Sequence, residues 1–281
     1  MLKYIRNTIV YIILAINLLG DTALIASFNT LHLGWKNSNY YKKAEAIAHF
    51  DLIALQEVMS KDGLRRLASE LERLTGEKWE WHISKQSFGR SNNYREYYAF
   101  VYRKDFVKLV RSLGAYDDLE DKFIREPYGA QFKIGDFEFV LVNCHLIFGN
   151  KKSDRQLEAM GLDKVYDYFK DKSKQKLLFI LGDFNLPAYD DAFANLFKHS
   201  DLIFYAIDPS NKTTIGHNGL ANSYDNIFYS FENTKEYTGR NGVYNFLEEK
   251  KYLEKYGDKR FSILRKELSD HLPIYIEVKI K

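Results

Sequence analysis

Residues 176–185, KLLFILGDFN, place a short apolar run directly before a cluster of polar residues. An apolar run of this length that meets a glycine is typical of a buried β-strand ending there. Asp183 and Asn185 would therefore lie at the end of a strand inside the core of a sheet. This position indicates a functional role for the two residues, because catalytic residues lie disproportionately in loops that a rigid scaffold holds in place.

The same arrangement recurs in other parts of the chain. Predicted strands carry polar residues at one end: residues 24–29 carry Asn29, 51–58 carry Glu57, 137–145 carry His145, and 272–280 follow Asp270 and His271. A further strand is predicted at 225–230. Neighbouring strands bring their ends to one edge of a sheet, so these side chains are predicted to share one cleft. Each of these residues alone could have an ordinary structural role, as a turn asparagine, a helix-capping aspartate or a core histidine. Such roles explain less well why so many polar residues occur at strand ends in one chain.

The remaining periodicity predicts the other elements. Helices are expected at residues 40–50, 62–75 (with Gly76 as C-cap), 152–170 and 248–256, and further strands at 79–84, 97–103, 107–113 and 130–134, the last forming a hairpin with 137–145. No repeat or linker interrupts residues 24–281, which favours one domain. The expected class is α+β, a four-layer α/β sandwich of two mixed β-sheets packed face to face with helices outside.

Composition sets wide bounds. The chain has 281 residues, of which 46% are hydrophobic and 16% aromatic, enough to exclude global disorder. Its 41 basic and 38 acidic residues leave a net charge of only +3, so any affinity for a polyanion must come from local arrangement. Cys144 is the single cysteine, which excludes an internal disulfide.

The N-terminus differs from the rest of the chain. Lys3 and Arg6 precede an uncharged apolar run over residues 8–20, which is shorter than the ~20 residues of a membrane-spanning helix. This pattern is typical of a secretory signal, with Ala23 before a possible cleavage point. An uncleaved membrane anchor and a buried strand are the alternatives. We expect residues 1–23 to direct the catalytic domain, residues 24–281, to an extracytoplasmic location, with membrane association only through this segment.

The strand-end residues suggest a particular chemistry. The candidate ligands Asn29, Glu57, Asp183, Asn185 and Asp270 offer oxygen atoms, which suit a hard cation such as Mg²⁺ or Mn²⁺. His145 and His271 would serve as general acid and base, with Glu96 and Asp225 as carboxylate partners that orient each ring. Hydrolysis of a phosphodiester needs this combination of cation, base and acid.

Six motifs together resemble the endonuclease/exonuclease/phosphatase superfamily. They are SFN (27–29), LQEV (55–58), NCH (143–145), GDFN (182–185), SYDNI (223–227) and SDHLP (269–273), in the order of that superfamily. Within it, GRSNNYREYY (89–98), FIREP (123–127) and YDD (116–118) are similar to deoxyribonuclease I. The resemblance covers residues 24–281 and implies a metal-dependent endonuclease that hydrolyses DNA; with the N-terminal pattern, the expected function is that of an exported endonuclease.

The resemblance also implies roles for individual residues. Glu57 and Asp270 with Asn29 would hold one metal ion, and Asp183 and Asn185 would bind phosphate or a second ion. His145 would pair with Glu96, and His271 with Asp225. The substrate would be bound by Arg125 as a phosphate clamp, by Tyr94 in the minor groove and by Tyr224. A structural Ca²⁺ would be held by Asp118, Asp121, the carbonyl group of Phe123 and Glu126.

Three departures from that pattern are visible. Leu31 and Met59 stand where deoxyribonuclease I presents arginines to the minor groove, so the grip on DNA is expected to be weaker or different. The first calcium loop is shorter and has no disulfide. The second is altered at residues 211–214, NKTT, where an aspartate would be expected.

Several other functions compete with a DNA endonuclease. A phosphoinositide phosphatase or a sphingomyelinase-like phosphodiesterase would use the same chemistry but should expose an apolar hairpin, and none is evident after residue 23. Toxin-type nuclease subunits of the same superfamily combine nuclease activity with lipid phosphatase activity. An abasic-site repair enzyme fits poorly with export, and a catalytically dead binding module fits poorly with the complete set of acids, amides and imidazoles. No obligate protein partner is evident.

Overall fold

The apolar segments form the strands of two mixed β-sheets. In the computed structural model, which describes residues 22–91 and 94–280, the first sheet has seven strands and the second has six. The first contains β1 (Thr22–Leu33), β2 (Leu52–Val58), β3 (Trp79–Ile83), β4 (Phe88–Ser91), β5 (Tyr94–Arg103), β12 (Tyr237–Val243) and β13 (Ile274–Lys279). The second contains β6 (Lys108–Ala115), β7 (Tyr128–Ile134), β8 (Phe137–His145), β9 (Leu178–Asp183), β10 (Ile203–Tyr205) and β11 (Asp225–Ser230).

The sheets pack face to face because each presents one apolar surface to the other. Ala54 and Phe100 from the first sheet join Phe132, Leu141 and Phe179 from the second in one core cluster, all with no exposed surface. Two further clusters lie on the outer faces, where helices cover each sheet. The expected α+β sandwich with two mixed sheets and outer helices is confirmed.

The helices lie where the sequence periodicity places most of them. They are α1 (Tyr40–Ile47), α2 (Lys61–Thr75), α3 (Lys152–Ala159), α4 (Leu162–Ser173), α5 (Ala194–Phe197), α6 (Lys250–Tyr256) and α7 (Arg260–Glu267). The helix α2 ends at Gly76, whose φ of 72° gives the left-handed C-cap predicted for it.

The single helix expected over residues 152–170 is wrong, because the chain forms two helices there. It turns at Gly161, where the Gly161 amide donates to the carbonyl oxygen of Glu158. The first helix is buried through Glu158 and Ala159 at its end, while the second buries an apolar stripe that includes Val165 and Phe169. The break lets the Glu158 carboxylate face inward and accept hydrogen bonds from two loop amides.

The N-terminal expectation falls mainly outside the described residues. Residues 1–21 are not described, whereas Thr22 and Ala23 belong to β1 and pair with Lys279 and Val278 of β13. Cleavage after Ala23 would therefore remove the first two residues of a paired strand. Within residues 22–91 and 94–280, no helix has the length and apolar character needed to cross a membrane.

Candidate active site

Strand register brings three of the site residues into one row. The strands β8 and β9 run parallel with His145 opposite Asp183, and β11 runs antiparallel to β9 with Asp225 opposite Asp183. Side chains opposite each other on neighbouring strands lie about 5 Å apart at their Cβ atoms. The end of the GDFN strand therefore places the Asp183 carboxylate between the other two residues.

His145 forms the first imidazole–carboxylate pair. Its Nδ1 lies 2.7 Å from Oε1 of Glu96, and its backbone amide donates to the Tyr98 hydroxyl at 3.0 Å. Burial and the nearby Arg125 lower the pKa of His145, but the carboxylates of Glu96 and Asp183 together outweigh them and raise that pKa. Since Nδ1 donates to Glu96, Nε2 is directed at Asp183, 3.6 Å from its Oδ2.

His271 forms the second pair, on the other side of Asp183. Its Nδ1 lies 2.8 Å from Oδ2 of Asp225, and its Nε2 lies 3.4 Å from Oδ2 of Asp183. Thr213 donates its hydroxyl hydrogen to the same Asp225 oxygen at 2.6 Å. Burial lowers the pKa of His271, but Asp225, Asp183 and Asp270 raise it well above the usual value. Two imidazoles thus converge on one carboxylate oxygen.

The first sheet contributes Asn29 and Glu57 from the ends of β1 and β2. The amide nitrogen of Asn29 donates to Oε1 of Glu57 and to Oδ2 of Asp183, both at 3.1 Å, and so joins the two sheets. Glu57 has a φ of 57°, an unfavourable backbone conformation for a residue with a side chain. Strained positions of this kind cluster at functional sites, where the surrounding structure holds them in place.

Four of the five predicted metal ligands lie along one cavity of about 660 Å³. Glu57, Asp183, Asn185 and Asp270 all line it, and the backbone N–H of Asn185 donates to Oδ1 of Asp183 at 2.9 Å. Asn29 lies behind them and turns its amide nitrogen toward the carboxylates, so in this arrangement it orients them. Carboxylate and amide oxygens without sulfur fit a hard cation such as Mg²⁺.

A second possible metal-binding group, more closely spaced, lies beside these ligands, but two of its members already bind each other. Asp183, Asp225 and His271 have ligand atoms within 4.8 Å of one another. The His271–Asp225 hydrogen bond already uses Nδ1 of the ring, and Thr213 occupies part of Asp225. We therefore interpret His271 and Asp225 as an acid–base couple, and Asp183 as the member available to an ion.

Arg125 is largely buried beneath the cavity. Its Nε donates to the carbonyl oxygen of His145 and its Nη2 to that of Leu146, both at 2.9 Å. Its Nε also lies 3.6 Å from Oε1 of Glu96. Within the described ranges, no hydrogen bond is found for Nη1, so one edge of the guanidinium remains for a phosphate oxygen. Arg125 thus supports the His145 loop as well as lining the cavity.

Tyr94 and Tyr224 lie on the cavity wall, as does Phe148. The Tyr94 hydroxyl is 3.0 Å from Nε2 of His32. The Arg155 guanidinium lies 4.2 Å from the ring centroid of Phe148 and 6.0 Å from that of Tyr224. The cavity is therefore lined by aromatic rings as well as by charged groups.

The calcium ligands predicted from the resemblance are not gathered in this structure. Asp118 accepts the Phe123 amide at 2.6 Å, and Asp121 forms an ion pair with Arg90 at 3.1 Å. Among the described residues, Asp118, Asp121 and Glu126 do not form a cluster of three ligand atoms. Calcium binding by this loop stays a prediction.

Sequence reasoning missed three residues near the site. His32 donates its backbone amide to Oε2 of Glu57 at 3.0 Å and stacks on Trp35, and Lys43 donates its buried ammonium to the carbonyl oxygens of Thr30 and Leu268. Burial lowers the pKa of Lys43 to about 8, although the nearby carboxylates oppose this. A lysine within an apolar helix face could have indicated the last of these, whereas the other two depend on a bulge in β1.

Comparison with known proteins identifies one family and several similar proteins. Residues 26–271 match the Endonuclease/Exonuclease/phosphatase family. A protein of Thioalkalivibrio sp. (strain K90mix) named Deoxyribonuclease is 33% identical over 278 residues, which cover 95% of this chain and 74% of the relative. Deoxyribonuclease-1-like 2 of Mus musculus is 29% identical over 288 residues, covering 94% and 95%.

The fold is also found in solved structures. An endonuclease/exonuclease/phosphatase from Bacteroides vulgatus superposes with a TM-score of 0.61 at 15% identity, covering 92% of this chain and 99% of that one. At this identity the likeness concerns the fold alone.

Proposed function

Since this chain belongs to the endonuclease/exonuclease/phosphatase family, we propose that it is a divalent-metal-dependent endonuclease that hydrolyses the DNA backbone outside the cytoplasm. The observation that carries this proposal is the convergence of two imidazole–carboxylate pairs on Asp183. One pair can take a proton from water while the other gives a proton to the leaving oxygen, which is what phosphodiester hydrolysis requires.

The charges around the two imidazoles differ and assign their roles. The pKa of both rings is raised because carboxylates face each of them, but beside His145 the Arg125 guanidinium opposes that rise. His271 is surrounded by Asp225, Asp183 and Asp270, which favour the protonated ring. His145 is therefore the general base and His271 the general acid.

The reaction follows from these assignments. Nε2 of His145 removes a proton from a water molecule as its oxygen forms a bond to phosphorus. The bond between phosphorus and the leaving oxygen breaks, and His271 donates its proton to that oxygen. Glu96 and Asp225 hold the rings in the required tautomers and stabilise the imidazolium forms.

Glu57 and Asp270, with Asp183 and Asn185, would hold the divalent ion. When bound, it would neutralise the charge that develops on the phosphate oxygens. Asn29 would orient Glu57 and Asp183 through its amide group. Arg125, which lines the same cavity, would contact a phosphate oxygen through the part of its guanidinium that the backbone carbonyls leave free.

DNA as substrate is supported by the relatives rather than by overall charge. Proteins named Deoxyribonuclease and Deoxyribonuclease-1-like 2 match more than nine-tenths of the chain. Export is supported by Lys3, Arg6 and the apolar run that follows them. N-terminal sequencing of the protein from its native host, together with fractionation, tests export; an intact N-terminus at Met1 in the cytosolic fraction would contradict it.

A nicking assay tests the proposed activity. Supercoiled plasmid is incubated with the protein in Mg²⁺, in Mn²⁺ and in EDTA, beside a His271→Ala variant prepared in the same way. We expect nicking with either ion, none in EDTA, and a strongly reduced rate for the variant. Phosphate release from phosphoinositides is measured in parallel. Release of phosphate without nicking would replace DNA by a lipid as the substrate.

A further inference from the structure

A second cavity adjoins the proposed catalytic cavity. It has a volume of about 420 Å³ and shares Asp270 and Arg265 with its neighbour. Leu31, His32 and Trp35 form one part of its wall. A group bound there would lie directly beside the candidate metal ligands, with Asp270 between the two spaces.

The wall of this second cavity contains a rigid pair of rings. His32 and Trp35 stack with their ring centroids 3.9 Å apart and their planes 4° from parallel. Tyr94 meets both rings edge-on, and its hydroxyl lies 3.0 Å from Nε2 of His32. The same nitrogen lies 3.4 Å from Oε2 of Glu57. The stack is therefore held in place by residues of the catalytic cavity.

Trp35 is nevertheless 48% exposed, although its inner surface is covered by His32. A large exposed aromatic ring that is fixed in orientation can stack with a second flat ring at little cost in conformational entropy. Nucleobases bind to proteins in this way when they are not stacked on their neighbours in a duplex. The arrangement thus fits the face of an unpaired base.

The charges around the second cavity fit a phosphate next to that base. Arg265 lies at the boundary between the two cavities, and Lys266 lines the second one. The carboxylate of Glu267 is paired with Lys42, which reduces its repulsion of a phosphate. Leu31 lies on the same wall and provides no cation.

We propose that the second cavity is a nucleobase subsite, in which an unpaired base adjacent to the scissile phosphate stacks on Trp35. The inference rests on the proposed function, because it takes the reaction to occur at the neighbouring cavity. In a duplex the base faces are covered by neighbouring pairs, and only base edges are accessible in the grooves. The subsite therefore favours single-stranded DNA and unpaired ends over intact duplex.

The test compares one oligonucleotide sequence in three forms, namely single-stranded, duplex, and single-stranded with one abasic position next to a defined cleavage point. We measure kcat/KM for the wild-type protein, Trp35→Ala and Trp35→Phe. The control is Phe204→Ala, which removes an aromatic ring of similar exposure, 42%, from the edge strand β10, outside both cavities. Thermal unfolding of each variant shows whether it is folded.

We expect Trp35→Ala to lower kcat/KM roughly 5- to 100-fold on the single strand and less than about 2-fold on duplex, the range that base–aromatic stacking covers. Trp35→Phe should recover most of the activity that Trp35→Ala loses on the single strand, because its ring can still stack, and Phe204→Ala should stay near wild type. The abasic position should slow the wild-type protein but not Trp35→Ala, because the stacking partner is then already missing.

The outcomes separate this inference from the proposed function. A folded protein that cleaves neither single-stranded nor duplex DNA with Mg²⁺ or Mn²⁺ contradicts the proposed function. A protein that cleaves DNA but loses activity equally on both forms in Trp35→Ala, or that responds to the abasic position with and without Trp35, overturns the nucleobase subsite alone.

Discussion

At the scale of single residues, His145 and His271 have similar carboxylate partners and different second neighbours. Glu96 raises the pKa of His145 against the effects of burial and Arg125, and Asp225 raises that of His271. Removing either carboxylate should lower the pKa of its imidazole. A base with a lower pKa stays active at lower pH, whereas an acid with a lower pKa loses its proton at lower pH.

The pH dependence of kcat/KM should therefore change differently in two variants. Glu96→Gln is expected to move the acidic limb of the profile to lower pH, and Asp225→Asn to move the alkaline limb to lower pH. His145→Ala and His271→Ala should each lower turnover by at least ~10²-fold while the protein stays folded. The profiles are measured by plasmid nicking at saturating metal. If each carboxamide variant moved the other limb, the assigned roles of base and acid would have to be exchanged.

Arg125 should affect stability as well as substrate binding. Its guanidinium donates to two backbone carbonyl oxygens and lies beside the fully buried Glu96. Arg125→Ala leaves that carboxylate without its cation, and breaking a buried pair costs roughly 3–5 kcal/mol. We expect a lower free energy of unfolding in urea together with slower nicking, and a smaller change in both for Arg125→Lys.

An unchanged urea midpoint in Arg125→Ala, with nicking reduced, would show that the arginine acts on substrate alone. A lower midpoint with unchanged nicking at low temperature would show that it is only structural.

Individual site residues differ in how far the sequence could predict them. The carboxylates and imidazoles are recognisable because they interrupt apolar strands, and the structure brings Glu96 to His145 and Asp225 to His271. Trp35 carries no such signal. Its position depends on a β-bulge in β1, where Leu31 and His32 have φ values of 47° and 55°. Neither residue type marks that conformation in advance.

At the scale of elements, Gly182 determines how closely two central strands approach. A Cβ atom at this position would lie 1.8 Å from the carbonyl oxygen of Cys144 on β8. Since β8 and β9 carry His145 and Asp183, this close approach is part of what places the two side chains together.

Gly182→Ala is therefore expected to destabilise the protein by ~4 kcal/mol or more, the range reserved for severe core substitutions. Gly219→Ala is the matched control, because a Cβ atom there would meet nothing within 4 Å. Soluble yield and the thermal midpoint are measured for both variants. Equal midpoints for Gly182→Ala and the wild-type protein would mean that β8 and β9 can separate without cost.

Long periodic segments were predictable and short or edge elements were not. The helix α2 and the hairpin of β7 and β8 follow from patterning and from a recognisable C-cap and turn. The short strands β4 and β10 give too few alternations to be recognised. The break at Gly161 depends on the inward position of Glu158, which only the tertiary structure reveals.

At the scale of the whole molecule, the small net charge of +3 predicts weak electrostatic attraction to DNA. Leu31 and Met59 add no cation near the cleft. Affinity for duplex DNA should therefore fall only gently as salt concentration rises, and KM should exceed that of deoxyribonuclease I at matched salt. Each new phosphate contact adds about 0.9 to the slope of log Kd against log salt.

Met59→Arg tests this expectation, since residue 59 follows the strand that carries Glu57. We expect tighter duplex binding and a slope steeper by about one unit, measured in a metal that permits binding without cleavage. Leu119→Arg adds the same charge at a residue that is 88% exposed and lines neither cavity. Equal effects of the two variants would mean that the gain reflects total charge, and no effect of Met59→Arg would mean that residue 59 does not face DNA.

The hydrogen bonds from Asn29 to Glu57 and to Asp183 cross from one sheet to the other, and they have a consequence for refolding. Either sheet alone contains only half of the reactive groups, so local secondary structure cannot by itself restore hydrolysis. After dilution from denaturant, the circular dichroism of the strands should recover before nicking does. The time at which nicking activity returns would then report when the two sheets pack against each other.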